Sequence, residues 1–245
     1  MGSLQKYKKT LPYSYALGMF PSMEAALKKP ETCKRLLLHS KGENSEGAQK
    51  LVALCKDKKI RVEQADRLLT QISPKGNVFA AMVFEKFEEP LSNSKPHIVL
   101  HQLSDAGNIG TILRTALGFG FTDIGFITPC ADVFDPQVIR ASMGAAFSQR
   151  LSFFQDFTEY QQEYVDHQSY LFMLDGAKTL EDATHAHKEQ PFTLVLGNEG
   201  KGLPQRLKEM GTAVKIPHGD QIDSLNVAIA AAIGMYEFSK KRKEK

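Results

Sequence analysis

Three short segments set polar side chains and glycines where apolar runs end. The first, SDAGNIGTILRTALGFG over 104–120, carries Asn108, Gly110 and Arg114 into an apolar helical pattern of Ile109, Ile112, Leu113, Ala116 and Leu117. Asn108 is expected to cap that helix, and Gly110 admits close backbone approach. An arginine near a helix N-terminus suits phosphate, through its forked donors. It equally suits a surface salt bridge, and the pattern leaves both open. The second segment, LVLGNEGKGLP over 194–204, places three glycines (Gly197, Gly200 and Gly202) just after an apolar run. Such a loop offers free backbone N–H groups. Its order is not that of a phosphate loop, and Glu199 would repel phosphate. An adenosine or amino-acid ligand suits it better, and a turn that merely caps the next helix is the plain alternative. In the third, KIPHGDQIDSLNVAIAAAIGMYEF over 215–238, Ile216-Pro217 ends a strand. Ser224 is expected to cap a helix that is small and apolar through Ile233, and therefore packed on all sides. Capping and core account for that helix, but not for its start beside a second polar loop. The GFG at 118–120 follows a helix and completes no dinucleotide fingerprint.

These segments need a scaffold, and the periodicity supplies one. Over 97–245, strands are expected at 98–103, 124–128, 151–154, 170–174, 193–196 and 213–216. Helices are expected at 109–119, 136–145, 157–167, 204–210 and 224–240. Runs such as TLVLG are apolar throughout, as in strands covered on both faces. The alternation implies an α/β fold with a mostly parallel sheet and helices on both sides. Ligands of such sheets bind outside the carboxyl ends of strands, where these loops lie. Before residue 90 the pattern is a smaller α/β unit. It has helices at 23–27, 46–55 and 65–72, strands at 35–38 and 60–62, and an apolar run at 78–84. A polar, proline-containing stretch, EKFEEPLSNSKP over 85–96, reads as the connection. The domains are therefore set at 1–90 and 97–245, with a linker at 91–96.

Charge separates the two modules. Residues 1–95 carry 17 Lys/Arg against 10 Asp/Glu, a balance of +7, and residues 96–245 carry 14 against 18, a balance of −4. A basic module suits a polyanion such as nucleic acid, or a solvated lysine surface. No apolar run reaches the ~20 residues of a membrane span. The lysine-rich start lacks the apolar stretch of a secretory signal. Met1-Gly2 hints at myristoylation, but Lys6 stands where Ser or Thr is needed. The lysine-rich end over 240–245 reads as a fraying helix terminus. Cys33, Cys55 and Cys130 form no CxxC pair. They fit buried thiols in a reducing cytoplasm, with no disulfide scaffold and no metal site.

In this order, Asn-x-Gly-x-x-x-Arg-Thr-Ala, Leu-Gly-Asn-Glu-Gly-x-Gly and Ser-Leu-Asn-Val-Ala resemble the SpoU/TrmH branch of the SPOUT RNA 2′-O-ribose methyltransferases. The likeness covers about 98–240. Residues 11–90, with GMFPSMEAAL and NVFAAMVFEKF, resemble the N-terminal substrate-binding domain of many such enzymes, similar to an RNA-binding fold of some ribosomal proteins. Ala106 stands where many members have proline, which touches loop rigidity rather than chemistry.

The resemblance implies a deep trefoil α/β-knot, an obligate homodimer with the active site at its interface, and S-adenosylmethionine bound within the knot. Leu196, Gly197, Asn198, Glu199 and Gly200 would contact it from one loop. Ile216 and Pro217 would do so from a second, Ser224, Leu225 and Asn226 from a third, and Thr128 would line the same pocket. Asn108, Arg114, Glu199 and Asn226 match the family's catalytic set. Family chemistry makes Arg114 a base, yet a guanidinium does not deprotonate near neutrality. Binding of the adjacent phosphate and polarising of the ribose 2′-OH is the better role. Asn108 and Asn226 would orient Arg114, ribose or cofactor, and Glu199 the substrate or the loop. Ribosomal RNA is the expected target. Transfer RNA, methylation of a base, and a non-catalytic RNA-binding or assembly factor are the alternatives.

Overall fold

In this computed structural model residues 4–73 and 78–243 are described, the last three by their backbone alone. Met1-Gly2, Glu244 and Lys245 lie outside the described residues. The chain begins β1 (Tyr13–Leu17), α1 (Met19–Lys28), β2 (Cys33–Leu38), α2 (Glu46–Asp57), β3 (Arg61–Gln64), α3 (Asp66–Ile72) and β4 (Ala80–Glu85). It continues β5 (His97–His101), α4 (Ala106–Gly118), β6 (Asp123–Ile127), α5 (Pro136–Ala141), β7 (Arg150–Phe154), α6 (Phe157–Glu163) and β8 (Gln168–Phe172). It ends β9 (Lys178–Thr179), α7 (Leu180–Ala186), β10 (Phe192–Gly197), β11 (Thr212–Lys215) and α8 (Val227–Lys243). The segment Gln205–Met210, expected as an α-helix, is a 3-10 helix.

Two compact units result: Met1–Phe87 with Asp132–Ser148, and Glu88–Ala131 with Gln149–Lys245. The first holds a four-stranded sheet in the order β1-β4-β2-β3, with β4 antiparallel to both neighbours and β2 parallel to β3. Residues 132–148 fall in the second module by sequence order, yet they pack in the first unit. The hydroxyl of buried Ser14 donates to the Phe134 carbonyl, and the Tyr7 hydroxyl to the Asp132 carboxylate. Lys86 pairs with Asp132 at 2.9 Å, and Phe84 meets Phe147 edge-on at 4.9 Å. Burial pushes the Cys33 thiol up to about 12 and that of Cys55 to about 11, so both are protonated and unreactive.

The second unit is built on seven parallel strands in the order β7-β6-β5-β10-β8-β11-β9. All residues of β5 and β10 are buried, which is why both read as apolar runs. Val99, Ile127, Leu171 and Val195 share one core with Phe157, Tyr160 and Tyr164 of α6 and its end. Helix α8 packs on α4, α7 and β10. A Cβ on Gly234 would come within 2.4 Å of the Phe172 ring, so glycine lets α8 lie close to β8.

The stretch expected as a linker is bonded into this second unit. Leu91 is buried, and its N–H donates to the Tyr164 hydroxyl (3.0 Å), while that of Ser92 donates to Asp123 (2.7 Å). His97 and His167 stack with ring centroids 4.0 Å apart. Their Nε2 atoms donate to the carbonyls of Ser92 (2.9 Å) and Asn93 (3.1 Å). Burial, then the charge of His167, pushes the His97 imidazole down to about 4, and burial lowers that of His167. An unfolded chain takes up protons near 6.5, before folded His97 does. Stability is therefore lost as pH falls from 6.5 toward 4. The thermal midpoint is expected to decline already between about pH 6.5 and 5, above the carboxylate range, and His97→Gln to flatten that slope. A wild-type midpoint level across this window would remove the pair from the stability balance.

Candidate functional site

β5 and β10 are neighbours in the sheet, with Gly197 opposite His101, so the loops that leave them emerge side by side. The first loop starts at Gln102, whose φ of +59° is unusual for a side-chain-bearing residue. Three hydrogen bonds hold it there. Its N–H donates to the Ile127 carbonyl (3.1 Å), its side-chain amide to the Thr128 carbonyl (3.3 Å), and its own carbonyl accepts from Asn198 (2.9 Å). Such over-determined strain is characteristic of functional loops.

Glu199 ties the two loops together. Its carboxylate accepts from the Ser104 N–H (3.2 Å) and hydroxyl (3.1 Å) and from the Asp105 N–H (3.0 Å). The side-chain amides of Asn108 and Asn198 also donate to it, each at 3.3 Å. Burial pushes its pKa up, but hydrogen bonds from its own N–H, from Asp105 and Ser104, and from Asn108 outweigh that. The carboxyl is held below its usual range. It is thus an anion whose acceptor sites are taken by the protein.

The cap of α4 is Asp105, not Asn108: Asp105 Oδ1 accepts from the Asn108 N–H at 2.7 Å. Capping one residue triplet earlier frees the Asn108 amide for the site. Its oxygen accepts from Asn226 Nδ2 at 3.0 Å. Asn226 in turn accepts from the N–H groups of Ala228 (2.9 Å) and Ile229 (3.3 Å), so it caps α8 in place of Ser224. A directed chain therefore runs from the start of α8 through Asn226 and Asn108 to Glu199, and joins all three segments.

Two glycines of the second loop are required by its geometry. A Cβ on Gly197 would meet the Gly202 and Leu203 backbone at 2.4–2.5 Å, and Gly202 adopts φ of +62°. Asn198 Oδ1 accepts from the N–H groups of Gly200 (3.0 Å) and Lys201 (3.1 Å) and closes the turn.

Between these loops lies a cavity of about 500 Å³. Asn108, Leu196, Gly197, Asn198, Glu199, Gly200, Ile216, Ser224, Leu225 and Asn226 line it, as the sequence suggests. Phe172, Met173, Asp175, Lys201 and His218 also line it. Periodicity marks the first two only as strand residues, and the others as loop. Three expected residues are not on its wall. Thr128 closes β6 against β7, with its N–H and hydroxyl both donating to the Phe154 carbonyl (2.9 and 3.1 Å). Pro217 follows a lining residue without lining. Arg114 is exposed on α4, and no carboxylate among the described residues pairs with it. Among the described residues no cluster of three metal-binding side chains forms, and no helix is long and apolar enough to cross a membrane.

The model of the SpoU rRNA Methylase family matches residues 95–236. The chain belongs to this family. It is 31% identical over 176 residues to an uncharacterized tRNA/rRNA methyltransferase of Synechocystis, covering 70% of this chain and 62% of that protein. It is 30% identical over 157 residues to the 23S rRNA (guanosine(2553)-2′-O)-methyltransferase RlmP of Bacillus subtilis, covering 61% and 60%. The chain thus spans about three-fifths of these relatives' length. The AdoMet-bound rRNA methyltransferase of Sinorhizobium meliloti superposes with a TM-score of 0.78 at 25% identity, over 95% of this chain and 88% of that one.

Within this SpoU-family fold the Glu199 clamp is open to a direct check. Glu199→Gln replaces one acceptor oxygen by a donor and leaves Ser104 or Asp105 without a partner. Amide exchange at 104 and 105 is expected to quicken about tenfold, read by mass spectrometry. Unchanged protection would show that the carboxylate does not hold the loop.

Proposed function

We propose that this chain is an S-adenosylmethionine-dependent RNA 2′-O-ribose methyltransferase acting on ribosomal RNA. The observation that carries the reading is the cavity itself, walled by three segments that one hydrogen-bonded chain through Glu199, Asn108 and Asn226 holds in place. The donor set fits S-adenosylmethionine. Leu196, Ile216 and Leu225 give apolar wall for a purine, and the Gly197–Gly202 turn presents backbone where no side chain could stand. Asn198, Gly200 and Ser224 complete the lining part of the expected binding set. S-adenosylmethionine supplies an activated methyl group, so the protein's task is alignment and proton removal. Asn108 and Asn226 orient the ribose, Glu199 keeps the loops set, and Arg114 binds the neighbouring phosphate and polarises the 2′-OH. The names of the Bacillus and Sinorhizobium relatives support ribose transfer and ribosomal RNA as the target.

Two features of the second unit support a homodimer. Ile229 and Tyr236, one face of α8, are 52% and 50% exposed, although the sequence pattern asks for a helix packed on all sides. Arg114 lies six residues beyond Asn108, about 120° around α4, and off the wall of its own cavity. A partner docked on α8 would cover the apolar face and receive Arg114 at its own site. The knot is supported by α8, which leaves β11 beyond β8 yet returns to β10 and α4. The basic first unit serves as the RNA-binding domain.

The reading has two tests. Nuclease digestion of modified RNA is expected to release a 2′-O-methylnucleoside, and a methylated base would refute the assignment. Arg114→Ala and Asn226→Ala are each expected to be inactive, yet refolded together to recover about a quarter of wild-type activity, because half of the sites in the mixed dimers pair an intact cavity with an intact arginine. Recovery of none would place Arg114 in its own chain's site.

A further inference from the structure

In the first unit, the end of β1, the end of β2 and the start of β4 lie side by side. The Gly18 N–H donates to the Ala80 carbonyl (2.8 Å) and the His39 N–H to the Phe79 carbonyl (2.9 Å). Two phenylalanines stand out from this end: Phe20 is 52% exposed and Phe79 is 39% exposed. Both lie within two residues of the Gly18–Ala80 hydrogen bond.

The backbone beside both rings is fixed. Gly18, with φ of +108°, turns the chain from β1 straight into α1, and Phe20 is the second residue of that helix, followed by buried Pro21. Phe79 lies across Gly42, where a Cβ would fall 2.5 Å from its own. His39 meets its ring edge-on, with centroids 5.9 Å apart. One side of Phe79 is thus packed and the rest is open, in a fixed orientation.

The surroundings are polar. Ser40 donates twice to Asp66, at 2.9 and 2.6 Å, which satisfies that carboxylate locally, and Lys41 and Arg67 are exposed beside it. The residues of this unit, 1–87 and 132–148, carry 17 Lys/Arg against 10 Asp/Glu. Exposed aromatic faces in a basic, polar setting match a nucleic acid with unstacked bases: each base has a π-face to lay on a ring, and its phosphates meet the lysines.

We propose that Phe20 and Phe79 form a stacking platform for unpaired bases of the RNA substrate. This rests on the reading that RNA is what the enzyme methylates. Base stacking tolerates any sequence, so the platform would select exposed single-stranded bases, such as those of a loop, over continuous duplex.

The test uses the full chain with an in-vitro transcript of large-subunit ribosomal RNA. Phe20→Ala and Phe79→Ala are each expected to weaken RNA binding about tenfold, while Phe79→Tyr retains it. The slope of log affinity against log salt is expected to stay at its wild-type value, because no phosphate contact is removed. Affinity for S-adenosylmethionine, measured by calorimetry, is expected to be unchanged in both, and the thermal midpoint to be unchanged in Phe20→Ala. Wild-type RNA affinity in both alanine variants overturns the platform and leaves the methyltransferase reading standing. So does a change of oligomeric state in those variants, which would mark the rings as a protein interface. A wild-type chain that binds S-adenosylmethionine but neither binds nor methylates RNA overturns both.

Discussion

The site depends on one carboxylate. Glu199 draws two backbone N–H groups, a hydroxyl and two side-chain amides onto its oxygens, and these donors come from both loops. An amide could not replace it, since half of a glutamine terminus would present N–H to N–H. A longer-range ion pair could not either, since it lacks the directional bonds that set a loop's backbone. The carboxyl, held below its usual range, remains an anion at neutral pH. The sequence context, a glycine-rich loop carrying an acid, excludes phosphate from this turn and is explained once the acid is seen to serve the protein's own N–H groups.

Topology decides where this clamp can be. From β5 the chain builds outward through β6 and β7, and then β8, β11 and β9 form the opposite side, with β10 between. The loops after β5 and β10 therefore open at the point where the strand order reverses, which is where parallel sheets bind ligands. Had β10 been added at an edge, Glu199 would have faced no first loop to hold. The return of α8 onto α4 then brings Asn226 to Asn108 and closes the third side.

The same physics explains what could be read in the residues. Strands buried on both faces are apolar runs, so the parallel sheet was legible. β1, YSYAL, was not, because its serine is buried and satisfied by a carbonyl 120 residues away. β9 and α7 are short and polar, so no periodicity marks them. The caps of α4 and α8 were misplaced for one reason: Ser104, Asp105 and Asn108, like Ser224 and Asn226, are all capping types, and only geometry chooses among them. Residues 132–148 lie in the chain between β6 and β7, and no composition shift announces that their phenylalanines complete the first unit's core. The cavity wall was largely legible through its motifs, whereas Asp175 and His218 carry no motif and appear only when the loops are folded.

Arg114 and α8 bear on one another. A helix with half-bare Ile229 and Tyr236 leaves apolar surface in water at about 25 cal/mol for each Å². An exposed arginine without a carboxylate partner gains little where it is. Either feature alone is ordinary on a protein surface. Together, on two helices packed against each other, they are the two observations on which the proposed dimer rests. A guanidinium within the cofactor cavity would repel a sulfonium, and Arg114 stands off that cavity's wall.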